Sequence, residues 1–493
     1  MNTNSQNRST GLRKALIWLL MLLSVLAIGH WFYLGGRRFL YPYEILWMEG
    51  SMLDQILRIL QGKSLYQAPS VEYVPWLYQP FYYYLTALIA KAAGLTFPIA
   101  RIISVLSTLA TGSIIAFIVH KETNKSKFWT LIGTGLFFMA YGKVGYCFEV
   151  ARVDSLYTAL LVLGSSLIIY SKNSGMVVTS AVILSLSYFT KQSAIIFVPC
   201  LAFLLFFRNK KNAVIFTVTI SLFVLGGIAL LNLFTDNWYS YYTLGLPAMK
   251  RTTFRWDFGV LEFVEYVVLR CWLITAGAFI IAIGSRFRYN RKQFLVSHDA
   301  MFFSLFATAL LTAFLGLGNE GGGKNVLLPV AAFAAIILPL IVSHDIGSSR
   351  TNKRAEIWMG VITLQFFALV YSPYNHPRNI PAKSDEIRQE LFLDSLRMIP
   401  GDVWVPYHGF MPRSVGKETF AELRAFRDVV LMNDRVAHGL KHDLDSVLLG
   451  HKFAYIFDDV QDTFPGYHLG YRTLNPHKAQ ALADTMIYVY LPK

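Results

Sequence analysis

Glu49 begins a segment whose apolar residues recur at helical spacing. Met52, Leu53 and Ile56 follow it at intervals of three, four and seven residues, so the carboxylate shares the apolar face of a predicted helix. A carboxyl group held against an apolar surface has a raised pKa, which suits a general base. The alternative is an acidic residue near a helix N-terminus, where it interacts favourably with the helix dipole. Glu44 is the competing candidate for the base.

A second acidic candidate, Asp154, lies in the stretch GYCFEVARVDSL at the end of an apolar run. Glu149 and Arg152 lie close to it in the chain. Asp154 can serve as the N-cap of the helix that follows. An arginine and an aspartate at one membrane boundary also have the composition of a site for an anionic ligand.

Further cations lie between apolar runs, on the side opposite to the main basic clusters. Lys191 lies in the turn FTKQS, Arg255 in an aromatic and basic loop, and Lys324 in the Gly-rich turn GNEGGGKN. Positive residues favour cytoplasmic loops, so cations on the other side need another explanation. Binding of a lipid phosphate is one, and interfacial snorkelling or a flexible linker are the alternatives. Together with Arg152, these three residues form the predicted phosphate-binding set.

The elements that carry these residues are predicted membrane spans. Of 493 residues, 54% are hydrophobic and only 15% are charged, against about a quarter in soluble domains. This composition, with recurrent apolar runs of spanning length, excludes a soluble enzyme and a disordered chain. The net charge of +15 comes mostly from Lys and Arg clusters between apolar runs, where topology explains them without nucleic acid.

Charge alternation predicts an all-α polytopic membrane protein with a cytoplasmic N-terminus. The apolar segment 79–93 has only 15 residues, and counting it as a span would invert the alternation. We therefore predict an interfacial helix there, within a long outer loop, 35–97. A second outer loop is 235–261. The cytoplasmic basic clusters are 120–127, 208–211, 286–292 and 350–354. The eleven predicted spans are 15–34, 98–119, 128–147, 155–171, 176–190, 193–207, 213–234, 262–284, 300–317, 325–343 and 355–373.

The chain is predicted to divide into a membrane domain, 1–373, and a small exocytoplasmic α/β domain, 374–493. Eleven crossings from a cytoplasmic start leave the polar C-terminal stretch outside. Its patterns predict helices at 384–399 and 437–450 and strands at 403–406, 453–457 and 486–491.

The chain resembles the GT-C superfamily of polytopic glycosyltransferases. The resemblance is to the branch that uses polyprenyl-phosphate-linked sugars, which includes aminoarabinose and protein-mannosyl transferases, and it covers about residues 10–375. The strings that carry it are WMEG in the first outer loop, GKSLY at 62–66, VPWLYQPFYYYL at 74–85 and RVDSL at 152–156.

The resemblance implies roles for several residues. Glu49 would be the general base, and Asp154 would assist acceptor binding or orientation. Where the aminoarabinose-transferase branch has Glu-Lys-Pro before the interfacial helix, with the lysine on the donor phosphate, this chain has Tyr78-Gln79-Pro80. The phosphate partner is therefore expected among the four cations above. The candidates for acceptor or sugar binding are Tyr78, Gln79 and Asn325.

The implied reaction moves a sugar from a polyprenyl-phosphate donor to a hydroxyl of a glycan, lipid or protein acceptor, with inversion, at the outer face of the plasma (inner) membrane. No metal ligands are predicted, although a divalent cation is left open. A secondary transporter or a flippase for lipid-linked sugars is the alternative, and a non-catalytic scaffold is the third class. A transporter would cluster its ionisable residues in discontinuous helices at mid-membrane, whereas the candidates here lie at span ends.

Overall fold

The computed structural model describes residues 3–252, 254–272, 275–280, 282, 291–319, 322–348, 352–370, 380–474 and 486–493. Residues 286–290 of a predicted basic cluster and 371–373 of the last predicted span lie outside these ranges. Within them the chain is predominantly helical, with a small sheet near its C-terminus. The predicted fold class, a helical polytopic membrane protein with a small C-terminal α/β segment, is confirmed.

The first half of the chain consists of helices joined by short connections, apart from the stretch around α2 and α3. These helices are α1 (Thr3–Phe39), α2 (Met48–Leu60), α3 (Phe81–Ala93), α4 (Phe97–Glu122), α5 (Lys127–Met139), α6 (Val153–Ile169), α7 (Ser174–Tyr188), α8 (Phe197–Arg208) and α9 (Lys210–Phe234). Short 3₁₀ segments are Ala140–Gly142, Gln192–Ile196 and Lys324–Leu327, and π-helical segments are Tyr241–Gly245 and Phe263–Trp272.

The second half continues the bundle and then forms the mixed C-terminal segment. Its helices are Trp238–Ser240, Leu246–Thr252, Trp256–Glu262, Arg291–Leu295, His298–Leu317, Leu328–Ser348, Asn352–Val370, Lys383–Met398, Phe410–Ser414, Leu423–Val430 and Arg435–Leu449. Its strands are β1 (Asp402–Trp404), β2 (Phe453–Asp458), β3 (Tyr467–Leu474) and β4 (Met486–Pro492).

Polar residues between the apolar runs start several helices. The side chains of Thr96, Ser126 and Asn209 each accept a hydrogen bond from the backbone amide three residues further on, at the starts of α4, α5 and α9. Each of these N-caps satisfies an amide that has no partner within its own helix. The caps therefore divide a largely apolar chain into separate helices.

Five of the described helices are long and apolar enough to cross a membrane. They are Gly11–Phe39, Phe97–Glu122, Lys210–Phe234, His298–Leu317 and Lys324–Ile346. Shorter apolar helices occupy other predicted spans, at Val153–Ile169, Ser174–Tyr188 and Gln192–Arg208. The number of eleven crossings stays a prediction.

The helix Leu328–Ser348 lies at the centre of the bundle. In its most apolar window 89% of the residues are buried, as expected for a helix that is apolar on every side. A Cβ at Gly133 of α5 would lie 2.9 Å from the Ala335 carbonyl oxygen, and one at Gly135 would lie 2.5 Å from Ser24 of α1. Glycine therefore lets α5 pack closely on two neighbours, as small residues do in membrane bundles.

The segments 40–96, 140–152, 189–191 and 235–252 meet at one end of the bundle, which we call the loop end. Helix α3 lies there. Its 13 residues span about 20 Å, short of the ~30 Å hydrocarbon core. Its Tyr82 hydroxyl donates to the Ala100 carbonyl in the first turn of α4 at 3.0 Å. The placement of α3 at the membrane interface stays a prediction.

The C-terminal sheet has the strand order β1-β2-β4-β3. Strands β1 and β2 are parallel, and the other two pairings are antiparallel. The predictions of β1, β2 and β4 and of two flanking helices are confirmed. Strand β3 was not predicted, because Gly470 and a register shift between Leu469 and Tyr471 interrupt the alternation of apolar and polar residues.

The C-terminal segment packs directly on the loop end. The Ala421 amide donates to the Val71 carbonyl at 2.7 Å, and the sheet residues Trp404 and Phe453 belong to the same buried cluster as the apolar faces of α2 and α3. The predicted domain boundary at 373–374 lies outside the described residues. The sheet and the first loop therefore share one hydrophobic core, whichever boundary the chain has.

We expect cysteines at positions 63 and 442 to be labelled from one side of the membrane, and cysteines at 125 and 210 from the other. Lys63, His442, Lys125 and Lys210 are all exposed, but the first two lie at or on the loop end. A membrane-impermeant thiol reagent, applied to intact and then to permeabilised cells, measures the difference. The parental protein with its three native cysteines gives the background. Labelling of positions 63 and 125 from the same side would contradict the topology.

Candidate functional site

Four of the predicted site residues meet around the Asp154 carboxylate. Lys191 Nζ lies 2.6 Å from Asp154 Oδ1, and the Asn325 side-chain amide donates to the same oxygen at 2.8 Å. Arg152 Nε lies 3.2 Å from Asp154 Oδ2. We call Arg152, Asp154, Lys191 and Asn325 the Asp154 cluster. Three separate parts of the chain supply it, so tertiary packing and not local sequence brings it together.

The residues of the Asp154 cluster lie at the ends of helices or in the turns between them. Arg152 has an extended backbone and is the N-cap of α6, and Asp154 follows in the first turn. Asp154 is therefore not the N-cap itself, although a carboxylate in this turn still interacts favourably with the helix dipole. Lys191 follows the end of α7, and Asn325 lies in the 3₁₀ turn that leads into the central helix. The cluster thus joins α6, α7 and the central helix at the loop end.

The two cations of the cluster lie closer to its edge than the carboxylate does. The Asp154 side chain is 1% exposed, whereas those of Arg152 and Lys191 are 10% and 14% exposed. Arg152 Nη2 also donates to the Tyr78 hydroxyl at 3.4 Å. Where little water reaches two cations, they form strong, charge-assisted hydrogen bonds to an anion such as a phosphate.

Glu49, the other candidate base, is paired with Arg101 of α4. Arg101 Nε donates to Glu49 Oε1 at 2.8 Å, Arg101 Nη2 donates to Oε2 at 2.7 Å, and both side chains are 0% exposed. The backbone amides of Ala151 and Ile45 each donate a further bond to the carboxylate at 2.8 Å. Each oxygen of Glu49 therefore accepts two hydrogen bonds, which is its full capacity.

This pairing corrects the expected environment of Glu49. The sequence analysis expected an apolar surface that raises the pKa of this carboxyl group. Burial does act in that direction, but the charge and hydrogen bonds of Arg101, with the Ala151 and Ile45 amides, lower the pKa of Glu49 below its ordinary value. The helix prediction itself is confirmed, since α2 runs from Met48 to Leu60.

The short stretch from Glu149 to Asp154 connects three buried charge pairs. Glu149 accepts from Arg38 Nε and from the Tyr141 hydroxyl, both at 2.5 Å. The Ala151 amide binds Glu49, and Asp154 binds the cations of its cluster. A shift of this stretch would disturb all three pairs at once, so it has one well-defined position.

Glu44, the competing base, is held by the C-terminal segment. Its Oε1 accepts from the Gly50 amide at 2.8 Å, and His408 Nδ1 lies 2.5 Å from its Oε2. Asp459 Oδ2 lies 2.7 Å from the other imidazole nitrogen. Burial lowers the pKa of His408, but the two flanking carboxylates raise it well above its ordinary value. A Cβ at position 50 would lie 3.1 Å from Glu44 Oε1, which explains the glycine there.

The remaining predicted residues lie around the cluster or apart from it. Lys324 precedes Asn325 and packs on Gly145. A Cβ added at Gly145 would lie 3.3 Å from the Lys324 Cβ. Gln79 is 0% exposed and accepts from the Tyr239 hydroxyl at 2.6 Å. Arg255 lies outside the cluster, with a side chain that is 62% exposed and 3.5 Å from Asp257. In the part of the chain that the structure describes, no group of three or more His, Cys, Asp or Glu residues is arranged to hold a metal ion.

Two residues at the loop end, Arg101 and His408, were not predicted from the sequence. Arg101 lies near the start of a predicted span on the side where topology does not favour a cation. The same argument that singled out Lys191 could have found it. His408 lies 364 residues from its partner Glu44, and its local sequence carries no signal of that contact.

Comparison with solved structures identifies the fold. Over 96% of this chain and 98% of the other, the structure is similar to ArnT from Cupriavidus metallidurans bound to undecaprenyl phosphate, with a TM-score of 0.57 and 11% identity. It is also similar to the Archaeoglobus fulgidus oligosaccharyltransferase, with a TM-score of 0.51 and 10% identity over 91% of this chain and 69% of the other. No family model and no curated protein matches the sequence. The protein thus shares the overall fold of these solved structures, in agreement with the resemblance that its motifs show.

We expect Glu49→Gln and Arg101→Met each to destabilise the protein strongly. Each variant leaves one buried charge without its partner, which costs about 3–5 kcal/mol. The double variant removes both charges and should lose less than the sum of the two. The melting temperature of the purified protein in detergent measures the effect. Glu386→Gln is the matched control, because it breaks an exposed pair with Lys383. Parental melting temperatures in both single variants would contradict the assignment.

Proposed function

We propose that the protein transfers a sugar from a polyprenyl-phosphate donor to an acceptor hydroxyl, at the loop end and on the exocytoplasmic side of the membrane. The observation that carries the proposal is the Asp154 cluster, which combines two cations and a carboxylate at the loop end. The GT-C fold supports it, since the ArnT structure contains undecaprenyl phosphate and an archaeal oligosaccharyltransferase of this fold, AglB, contains dolichol-phosphate.

In this proposal Arg152 and Lys191 bind the donor phosphate. Their side chains reach the edge of the cluster, and their long apolar stems suit an interface between protein, lipid and water. A lipid donor carries its phosphate at the membrane interface, so the protein needs no nucleotide-binding domain to bind it. The low local dielectric strengthens each contact between the phosphate and a cation.

The proposed chemistry is a single displacement at the anomeric carbon. The acceptor oxygen forms a bond to that carbon as the bond from the carbon to the phosphate oxygen breaks, and a carboxylate takes the hydroxyl proton. The leaving polyprenyl phosphate gains negative charge, which Arg152 and Lys191 stabilise. Attack opposite the leaving group inverts the anomeric configuration.

Asp154 suits the role of base better than Glu49. A base needs a free lone pair within reach of the proton, and both Glu49 oxygens are fully occupied. Asp154 Oδ2 accepts no hydrogen bond from the described residues, because Arg152 faces it at 3.2 Å without hydrogen-bond alignment. A phosphate that draws Arg152 away would leave this oxygen more basic. Glu49 then acts as a positioning residue through the Ala151 amide.

We expect Arg152→Ala and Lys191→Ala each to weaken binding of undecaprenyl phosphate by about ten- to a hundredfold, the weight of a charge-assisted contact. Lys191→Arg should have a milder effect because it keeps the charge. Native mass spectrometry of the purified protein with the lipid measures the affinity. Lys172→Ala, an exposed lysine at the other end of the bundle, is the control. Unchanged affinity in both alanine variants would direct the search to Arg255 and Lys324.

We expect Asp154→Asn to slow transfer to a sugar hydroxyl by about a hundredfold or more, the usual weight of a general base. Transfer to 4-nitrophenol should suffer much less, because a substantial fraction of that acidic hydroxyl is already ionised at neutral pH. A panel of polyprenyl-phosphate sugars, with products scored by mass spectrometry, gives both rates. Equal losses with the two acceptors would show that Asp154 only positions its neighbours, and would reassign the base.

A further inference from the structure

A cavity of about 140 Å³ lies between α2 and the C-terminal segment, apart from the Asp154 cluster. It is similar in volume to the ~150 Å³ engineered cavity that binds benzene, so it can hold one ring-sized ligand. Its lining combines acidic, amide, basic and aromatic side chains, which include Asp54, Gln55, Trp76, Arg413, Phe420 and Glu422.

The Glu422 carboxyl group in this lining is only half satisfied. Glu422 is 7% exposed, and its Oε2 accepts from the Ser51 hydroxyl at 2.8 Å. Its Oε1 has no hydrogen-bond partner among the residues that the structure describes. A buried polar atom without a protein partner is costly, so this oxygen is available to a polar group of a ligand in the cavity. Burial raises the pKa of Glu422 well above its ordinary value, and raises that of Asp54 to about 7. Neutral carboxyl groups can both donate to and accept from hydroxyls.

An aromatic pair connects the cavity with the Asp154 cluster. The Trp76 ring lines the cavity and stacks on Tyr78, with centroids 6.1 Å apart and an angle of 24° between the planes. The Tyr78 hydroxyl in turn accepts from Arg152 Nη2 at 3.4 Å. A ligand that fills the cavity therefore lies one aromatic pair away from the proposed phosphate site.

We propose that this cavity binds a sugar ring of the acceptor. A pyranose has apolar C–H faces that pack on an indole and hydroxyls that pair with carboxyl and amide groups, which is the mixture of side chains present here. A metal ion suits the lining less well, because Arg413 Nε lies 3.6 Å from Asp54 Oδ1. The inference rests on the proposed glycosyl transfer. Because the cavity is separate from the Asp154 cluster, it implies an acceptor of two or more rings, with the attacking hydroxyl outside the cavity.

Binding of disaccharides to the purified full-length protein tests the proposal. The probes are unlabelled disaccharides of glucose, galactose, mannose and N-acetylglucosamine, measured by saturation-transfer difference NMR in lipid nanodiscs. We expect at least one to bind, and Glu422→Gln to weaken it by about tenfold or more, the weight of a buried hydrogen bond. Asp54→Asn is the second variant, in case Glu422→Gln fails to fold. Glu390→Gln is the matched control, because Glu390 belongs to the C-terminal segment but does not line the cavity.

Two results would overturn the proposal. One is the absence of disaccharide binding, or binding that neither Glu422→Gln nor Asp54→Asn changes. The other is calorimetric binding of Mg²⁺ or Ca²⁺ alone that Glu422→Gln abolishes, which would make the cavity a cation site. Binding of undecaprenyl phosphate separates this inference from the proposed function. Glu422-dependent disaccharide binding without any lipid binding would support the cavity and contradict the lipid donor.

Discussion

The buried ion pair between Glu49 and Arg101 determines the arrangement of the loop end. Arg101 lies near the start of an apolar helix, where an uncompensated charge would cost several kcal/mol. Its guanidinium donates to both Glu49 oxygens and to the carbonyls of Tyr41, Tyr43 and Arg38. Lysine has no planar fork and could not make this set of bonds. The chain after α1 and the start of α2 must therefore occupy the positions that satisfy Arg101.

The Ala151 amide carries this constraint from Glu49 to the Asp154 cluster. The Glu49 and Asp154 carboxylates differ in how many of their hydrogen-bonding positions are filled, and this difference separates their proposed roles. Glu49 accepts four hydrogen bonds and has no capacity left for a substrate. Asp154 keeps one oxygen against a poorly aligned arginine that an incoming phosphate can attract. In the proposed mechanism the fully bonded Glu49–Arg101 pair fixes the site, while the less completely bonded Asp154 responds to the ligand.

The parts of this arrangement that the sequence predicted are those that depend on local pattern. Apolar periodicity gave α2 and α3, and charge against the topological bias identified Lys191 and Arg152 as candidates. The same argument could have singled out Arg101, but its pairing with Glu49, 52 residues away, could not be predicted. Nor could the pairing of His408 with Glu44, which is 364 residues away. For this reason the predicted apolar environment of Glu49 was wrong, although the helix predicted to carry it was confirmed. Composition alone could not distinguish an apolar surface from a buried counter-charge.

Helix α2 links the two halves of the proposed active site. Its first turn holds Glu49, whose proposed role is to position the donor side through Ala151, and Ser51, two residues later, donates to Glu422 of the C-terminal segment. His408, which lies between Glu44 and Asp459, joins that segment to the chain just before α2. Because α2 contacts both sides, it would fix the distance between the proposed phosphate site and the cavity. If the chain acts on a lipid donor and a polar acceptor as proposed, α2 is the element through which the Asp154 cluster and the cavity keep a constant relation to each other.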